Sequence, residues 1–156
     1  MPRLPGPLTL SRLDDTEALA ARLAPILGPG DTLLLSGPIG AGKTAFARAL
    51  IRARMENPSE EVPSPTFTLV QTYGDPRGTE LWHADLYRLT GPDEAVELGL
   101  ETAFDTAICL VEWPDRLGDL APPEALGLTF AAGETAHLLT LAGPDPWPAR
   151  LEAAGV

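Results

Sequence analysis

The strongest constraint on this chain is Gly37-Pro38-Ile39-Gly40-Ala41-Gly42-Lys43-Thr44. An apolar run, Thr32-Leu33-Leu34-Leu35, leads into it, and a helix-forming run, Ala45-Phe46-Ala47-Arg48-Ala49-Leu50-Ile51, leads out. The segment fits G-x-x-x-x-G-K-[ST], and strand, glycine loop and helix in that order is the context that makes the pattern a phosphate site. Gly37, Gly40 and Gly42 let the backbone curl so that successive N–H groups converge on an anion. The start of the following helix adds its positive end. The pattern therefore assigns Gly37, Pro38, Ile39, Gly40, Ala41, Gly42, Lys43, Thr44 and Ala45 to nucleotide binding, with Lys43 on the β- and γ-phosphates and the Thr44 hydroxyl on Mg²⁺. At this chain's own Gly, Lys and Ser/Thr frequencies the pattern arises by chance in roughly one chain per thousand, so an accidental glycine turn is the poorer reading.

Lys43 is also the single lysine of the chain; the other ten basic residues are arginines. A compact ammonium on a flexible stem is not equivalent to a guanidinium fork, so one lysine retained among arginines signals chemical need. The 156 residues carry a net charge of −11, from 22 acidic and 11 basic residues. That argues against stand-alone binding to nucleic acid, which needs a basic footprint, and an RNA-related role would need a partner to hold the RNA. No apolar run approaches the roughly 20 residues of a membrane span, and no signal peptide is evident. The single Cys109 can form no internal disulfide, which fits a reduced, cytoplasmic setting. The length predicts one domain spanning 1–156.

Read in order, Pro7–Leu10 predicts a short edge strand, and Leu19, Leu23, Ile26 and Leu27 recur at helical spacing after capping residues Asp14, Asp15 and Thr16. In the helix after the glycine loop, Phe46, Leu50 and Ile51 should face a core while Arg48 and Arg52 face water. Thr66–Tyr73 and Thr79–Ala84 predict a hairpin, and Pro92–Leu98 a short helix stopped by Gly99. Ala107–Val111 is uniformly apolar, as a strand covered on both faces must be. A second hairpin is expected over Leu126–Ala131 and Thr135–Ala142, then a helix near Pro146–Ala154. The sum is an α/β fold: a P-loop NTPase-like three-layer sandwich, with a mixed sheet of parallel core and antiparallel hairpins.

A phosphate loop alone only binds; turnover needs an acid near the metal or the water and a group that senses the γ-phosphate. Glu112 ends the buried strand, where open α/β sheets present ligands, so it is the favoured catalytic and metal-linked acid over a strand-end cap. Asp85, in His83-Ala84-Asp85-Leu86-Tyr87-Arg88-Leu89, is placed just past the second hairpin strand as a second acid, against the ordinary reading of an Asp capping a turn. His83 and Tyr87 read as structural. Ser64 and Thr66, in Ser64-Pro65-Thr66-Phe67, are switch candidates, since a hydroxyl there can respond to the γ-phosphate. Trp113, directly after Glu112, is a candidate site cover. Arg116 reads as a surface or partner contact.

These segments, with Glu97-Leu98-Gly99 and Val111-Glu112-Trp113-Pro114, occur in one order over about 80 residues. The set closely resembles the bacterial tRNA threonylcarbamoyladenosine biosynthesis ATPases of the TsaE (YjeE) family. The glycine loop is shared with thousands of proteins; its combination with Ser-Pro-Thr-Phe, His-x-Asp-x-Tyr-Arg-Leu and Val-Glu-Trp is specific. The resemblance implies an ATPase using ATP and Mg²⁺, working with the proteins TsaB and TsaD on tRNAs that read ANN codons. It carries Lys43 and Thr44 over to phosphate and Mg²⁺, Glu112 to the metal-linked acid, and Asp85 and Trp113 to turnover. Members often carry an arginine near the position of His137, so the resemblance assigns no nucleotide contact there. Ser11–Thr16 matches loosely and fixes no adenine contact.

Two other readings stay open. A small-molecule kinase would close an arginine-bearing lid, and no arginine lies between Thr90 and Thr106. A nucleotide-sensing regulatory module is the third reading. A GTPase is excluded, because Asn-Lys-x-Asp needs a second lysine.

Overall fold

Two runs set the centre of the molecule, Thr32–Ser36 and Ile108–Glu112, both apolar enough to be covered on both faces. The computed structural model describes residues 4–156 and pairs these runs in one seven-stranded mixed sheet. Along the chain the strands are β1 (Leu8–Leu10), β2 (Thr32–Ser36), β3 (Val70–Gly74), β4 (Glu80–Asp85), β5 (Ile108–Glu112), β6 (Leu126–Ala132) and β7 (His137–Ala142). In space they run β1-β7-β6-β2-β5-β4-β3. The parallel core is β6, β2, β5 and β4, while β3 pairs antiparallel with β4 at one edge and β7, then β1, close the other.

The helices are α1 (Leu13–Leu23), α2 (Lys43–Met55), α3 (Pro92–Glu97), α4 (Leu100–Thr106) and α5 (Trp147–Ala153). Strand side chains alternate between faces, so the sheet feeds two cores. Leu33, Leu35, Leu81, Ile108 and Leu110 pack with Leu19, Leu23, Phe46, Leu50 and Ile51 of α1 and α2. Ala84, Cys109 and Val111 pack on the opposite side with Leu100, Ala103, Phe104 and Leu117. This is the expected three-layer arrangement. Each core strand therefore sends one set of residues toward α2, and that set ends at the phosphate loop.

Several expectations change in detail. The strand expected from Thr66 begins only at Val70: Pro65–Thr68 is a turn, closed by the Leu69 amide donating to the Pro65 carbonyl at 2.7 Å. Hydroxyl-bearing residues compete with ladder hydrogen bonds, and here the Thr66 hydroxyl is engaged with Asp85 instead. Asp85, expected just past its strand, is the last residue of β4. Arg48 and Arg52 do not simply face water. Their Nε atoms donate to the carbonyls of Val62 and Glu60 at 3.0 and 3.1 Å and tie down the loop after α2. Gly99, with φ 86°, ends α3 but also starts α4, a helix too short and too mixed in pattern to be read from sequence. A 3₁₀ stretch over Pro114–Leu120 follows β5 and likewise has no clear signal in the sequence.

Candidate functional site

The loop between β2 and α2 has room only for glycine at two points. Gly37 has φ 137°, and a Cβ there would collide with the Phe130 carbonyl oxygen. Gly42 has φ 106° and forms the N-cap of α2; a Cβ there would lie 3.0 Å from His137 Nδ1. Lys43 opens the helix and is only 5% exposed. Its Nζ donates to the carbonyls of Gly37 and of Pro38, the latter at 3.2 Å, and lies 3.8 Å from the centroid of the Trp113 ring. No carboxylate forms an ion pair with it among the described residues. Burial pushes its ammonium below the ordinary lysine pKa, and the carboxylates of Glu112 and Asp85 pull the other way.

The acids arrive by strand parity. Leu81, His83 and Asp85 alternate along β4 toward α2, as do Ile108, Leu110 and Glu112 along β5, and Asp85 pairs in register with Glu112. Glu112 is 2% exposed. Its Oε1 accepts from the Thr44 hydroxyl at 2.8 Å, and its Oε2 lies 2.7 Å from His83 Nε2. A carboxylate only accepts, so His83 donates through Nε2, and its buried Nδ1 has no partner among the described residues. Asp85 Oδ2 accepts from the Thr66 hydroxyl at 3.3 Å, and its Oδ1 from the Tyr87 amide at 3.0 Å. Ser64 Oγ lies 2.7 Å from Thr66 Oγ1 and so stands one step further back. Trp113 adopts φ 59°, unusual for an aromatic residue, and this left-handed turn brings its ring over Lys43 and 5.0 Å from that of Tyr87.

A cavity of about 530 Å³ gathers Lys43, Thr44, Thr66, Asp85, Glu112 and Trp113. Tyr87 and His137 also line it, although sequence reasoning gave neither a role there. Of the loop residues, Gly40, Gly42 and Ala45 line the cavity, Ile39 stands 77% exposed at its rim, and Ala41 is buried in the core instead. Arg116 pairs with Asp115 on the surface and does not line the cavity. A second cavity of about 390 Å³, lined by Ser11, Arg12, Thr16 and the β6–β7 turn, adjoins the first through Gly42, Ala45 and His137. His83, which reads as structural in the sequence, holds the Glu112 carboxylate. Its signal was its spacing two before Asp85, which in a strand puts both on one face.

The donor set suits magnesium. Mg²⁺ takes one or two protein oxygens and completes its shell with water and phosphate, and Thr44 and Glu112 supply that number, already within hydrogen-bond reach of each other. Lys43, buried at a helix N-terminus without a carboxylate partner, suits a phosphate better than any neighbour it has.

A family model described as "Threonylcarbamoyl adenosine biosynthesis protein TsaE" matches residues 10–138. The chain belongs to the TsaE family. The TsaE protein of Rickettsia conorii is 42% identical over 125 residues, 80% of this chain and 70% of that protein. The TsaE protein of Bacillus subtilis is 36% identical over 129 residues, 81% of this chain and 78% of its own length. The crystal structure of Bacillus subtilis YdiB superposes with a TM-score of 0.76 at 26% identity, over 99% of this chain and 96% of that one. The TsaE match spans the glycine loop, Thr66, Asp85, Glu112 and Trp113, so the family region contains the whole cavity. No helix among the described residues is long and apolar enough to cross a membrane.

Proposed function

We propose that this TsaE-family protein binds ATP with Mg²⁺ and hydrolyses it in the formation of threonylcarbamoyladenosine in tRNA. The observation that carries the reading is Lys43: a buried ammonium at the N-terminus of α2, in a cavity also lined by Glu112 and Asp85. The loop amides and Lys43 hold the β- and γ-phosphates, and the adjoining cavity takes the nucleoside. Thr44 and Glu112 hold the metal, which when bound neutralises the charge that develops on the transferred phosphoryl group. His83 keeps Glu112 turned, so that Oε2 is fixed and Oε1 is presented to the Thr44 hydroxyl, where the two would share the metal. Asp85, gripped by Thr66 and the Tyr87 amide, orients the attacking water, and the Ser64–Thr66 turn follows the γ-phosphate.

Among the described residues no arginine lines the cavity. Phosphoryl transfer is mostly positioning and charge neutralisation, so hydrolysis by the isolated protein should be slow and partner-stimulated. The partners are TsaB and TsaD, working in the cytoplasm, and with a net charge of −11 this chain leaves the tRNA to them. The test is phosphate release with TsaD, TsaB and tRNA added one at a time. Stimulation by the partner proteins is expected; equal rates with and without them, or stimulation by a small-molecule acceptor instead, would overturn the reading.

A further inference from the structure

Glu112 is held from two sides, and the two holds are unlike. Its Oε1 meets the hydroxyl of Thr44, which lines the cavity; its Oε2 meets the imidazole of His83, which does not. His83 is fully buried, and the bond to Glu112 is the one hydrogen bond its ring makes among the described residues. The unpaired Nδ1 is destabilising, and an apolar side chain in that place would avoid it. The ring therefore serves the carboxylate rather than the stability of β4. Asp85, the other acid of the cavity, is tied as fully. Its Oδ1 accepts from the Tyr87 amide at 3.0 Å and its Oδ2 from the Thr66 hydroxyl at 3.3 Å. Of these four carboxylate oxygens, Oε1 of Glu112 is the one turned to Thr44. Among the described residues no group of three or more His, Cys, Asp or Glu is placed to hold a cation. The protein thus offers a cation few oxygens, and it fixes the ones it offers.

We propose that His83 sets the choice of cation: by holding Oε2 it limits Glu112 to one oxygen, which favours Mg²⁺ over the larger Ca²⁺. The inference rests on the nucleotide reading above and adds a specificity-determining residue to it. His83 is a positioning residue and acts through Glu112 alone. Ca²⁺ takes about six to eight oxygens in flexible arrangements, often including both oxygens of one carboxylate. Mg²⁺ demands a compact octahedron, keeps several waters and needs only one or two carboxylates. Selectivity between the two follows ligand number and flexibility, and the His83 bond restrains both. Without that bond Glu112 can turn to offer both oxygens, which suits the larger ion.

The experiment is calorimetric titration of wild type, His83→Leu and His83→Gln with ADP, each in excess Mg²⁺, in excess Ca²⁺ and in chelator. Wild type should bind more tightly in Mg²⁺ than in Ca²⁺. In His83→Leu the ratio of those two affinities should fall by about tenfold or more, the usual effect of removing the group that orients a metal ligand. The nucleotide's own preference between the cations cancels when variant and wild type are compared. In chelator the three proteins should agree, because a defect confined to Glu112 leaves the phosphate loop as it was. His83→Gln, whose amide can donate from near the place of Nε2, should keep most of the wild-type ratio. Should His83→Leu fail to fold, His83→Asn, too short to reach Oε2, must show the same fall. A ratio unchanged by the loss of His83 overturns this proposal alone, as do equal wild-type affinities in the two cations. A loss of equal size in all three conditions marks a structural role and overturns it too. Wild-type protein that binds no ADP in any condition overturns it together with the nucleotide reading.

Discussion

Helix α2 has a buried cation near each end, and the two are partnered in opposite ways. Arg54, 7% exposed near the C-terminus, donates Nε to Asp75 at 2.8 Å and Nη1 to the carbonyls of Ala24 and Leu27, both at 2.7 Å. Its charge also lies at the end of the helix that favours a cation. Lys43, 5% exposed at the N-terminus, meets two backbone carbonyls and an indole face, and stands where the helix disfavours positive charge. Burying a charge costs several kcal/mol unless it is paired. The chain completes the pairing at one end and, among the described residues, leaves the other without a carboxylate partner, which under the proposed function a phosphate would supply.

The comparison can be broken by exchanging the expected phenotypes. Arg54→Ala strands Asp75 and two carbonyls, and should cost about 3–5 kcal/mol in urea unfolding while nucleotide affinity in the surviving folded protein is unchanged. Lys43→Ala should do the reverse, lowering nucleotide affinity by about 100-fold in a calorimetric titration, about 2.7 kcal/mol, with no fall in melting temperature. A Lys43 variant that unfolds, or an Arg54 variant that loses nucleotide but not stability, would undo the distinction.

A pH titration of unfolding sharpens it with the smallest effect. Burial alone would raise the carboxyl of Asp75, but the hydrogen bonds from Arg54 and from the Thr79 and Arg77 amides outweigh it and hold the pKa below the ordinary value. A depressed carboxylate contributes stability that is complete above the unfolded value of about 3.9 and is lost as pH falls through the folded one. Wild type should therefore lose stability below about pH 4 more steeply than Asp75→Asn, and the two slopes should agree near neutrality. Equal slopes throughout would remove Asp75 from the ion pair's role.

Much of the parallel core was legible because its signals are local. The glycine loop carries its own spacing, and an all-apolar strand such as Ile108–Val111, ending in Glu112, declares both its burial and its polar tip. What escaped notice depends on tertiary contacts. Thr66 looks like a strand residue by its branching, but its hydroxyl is taken by Asp85, 19 positions along the chain. Arg48 and Arg52 look like solvent-facing helix positions until the loop after α2 folds back to offer carbonyls. His83 looks structural because nothing in β4 announces that Glu112, 29 residues away, will need holding. The burial of Arg54 and Asp75 was invisible for the same reason, since each charge is tolerable only once the other is in place.

Under the proposed function Lys43 binds the nucleotide and Glu112, beside Thr44, governs turnover. This division is tested most directly by single-turnover phosphate release, with protein in excess over ATP–Mg²⁺, from wild type and Glu112→Ala under conditions where titration shows both saturated. The account predicts nucleotide affinity within about threefold of wild type and release slower by about 100-fold or more. Release from Glu112→Ala at the wild-type rate would contradict it.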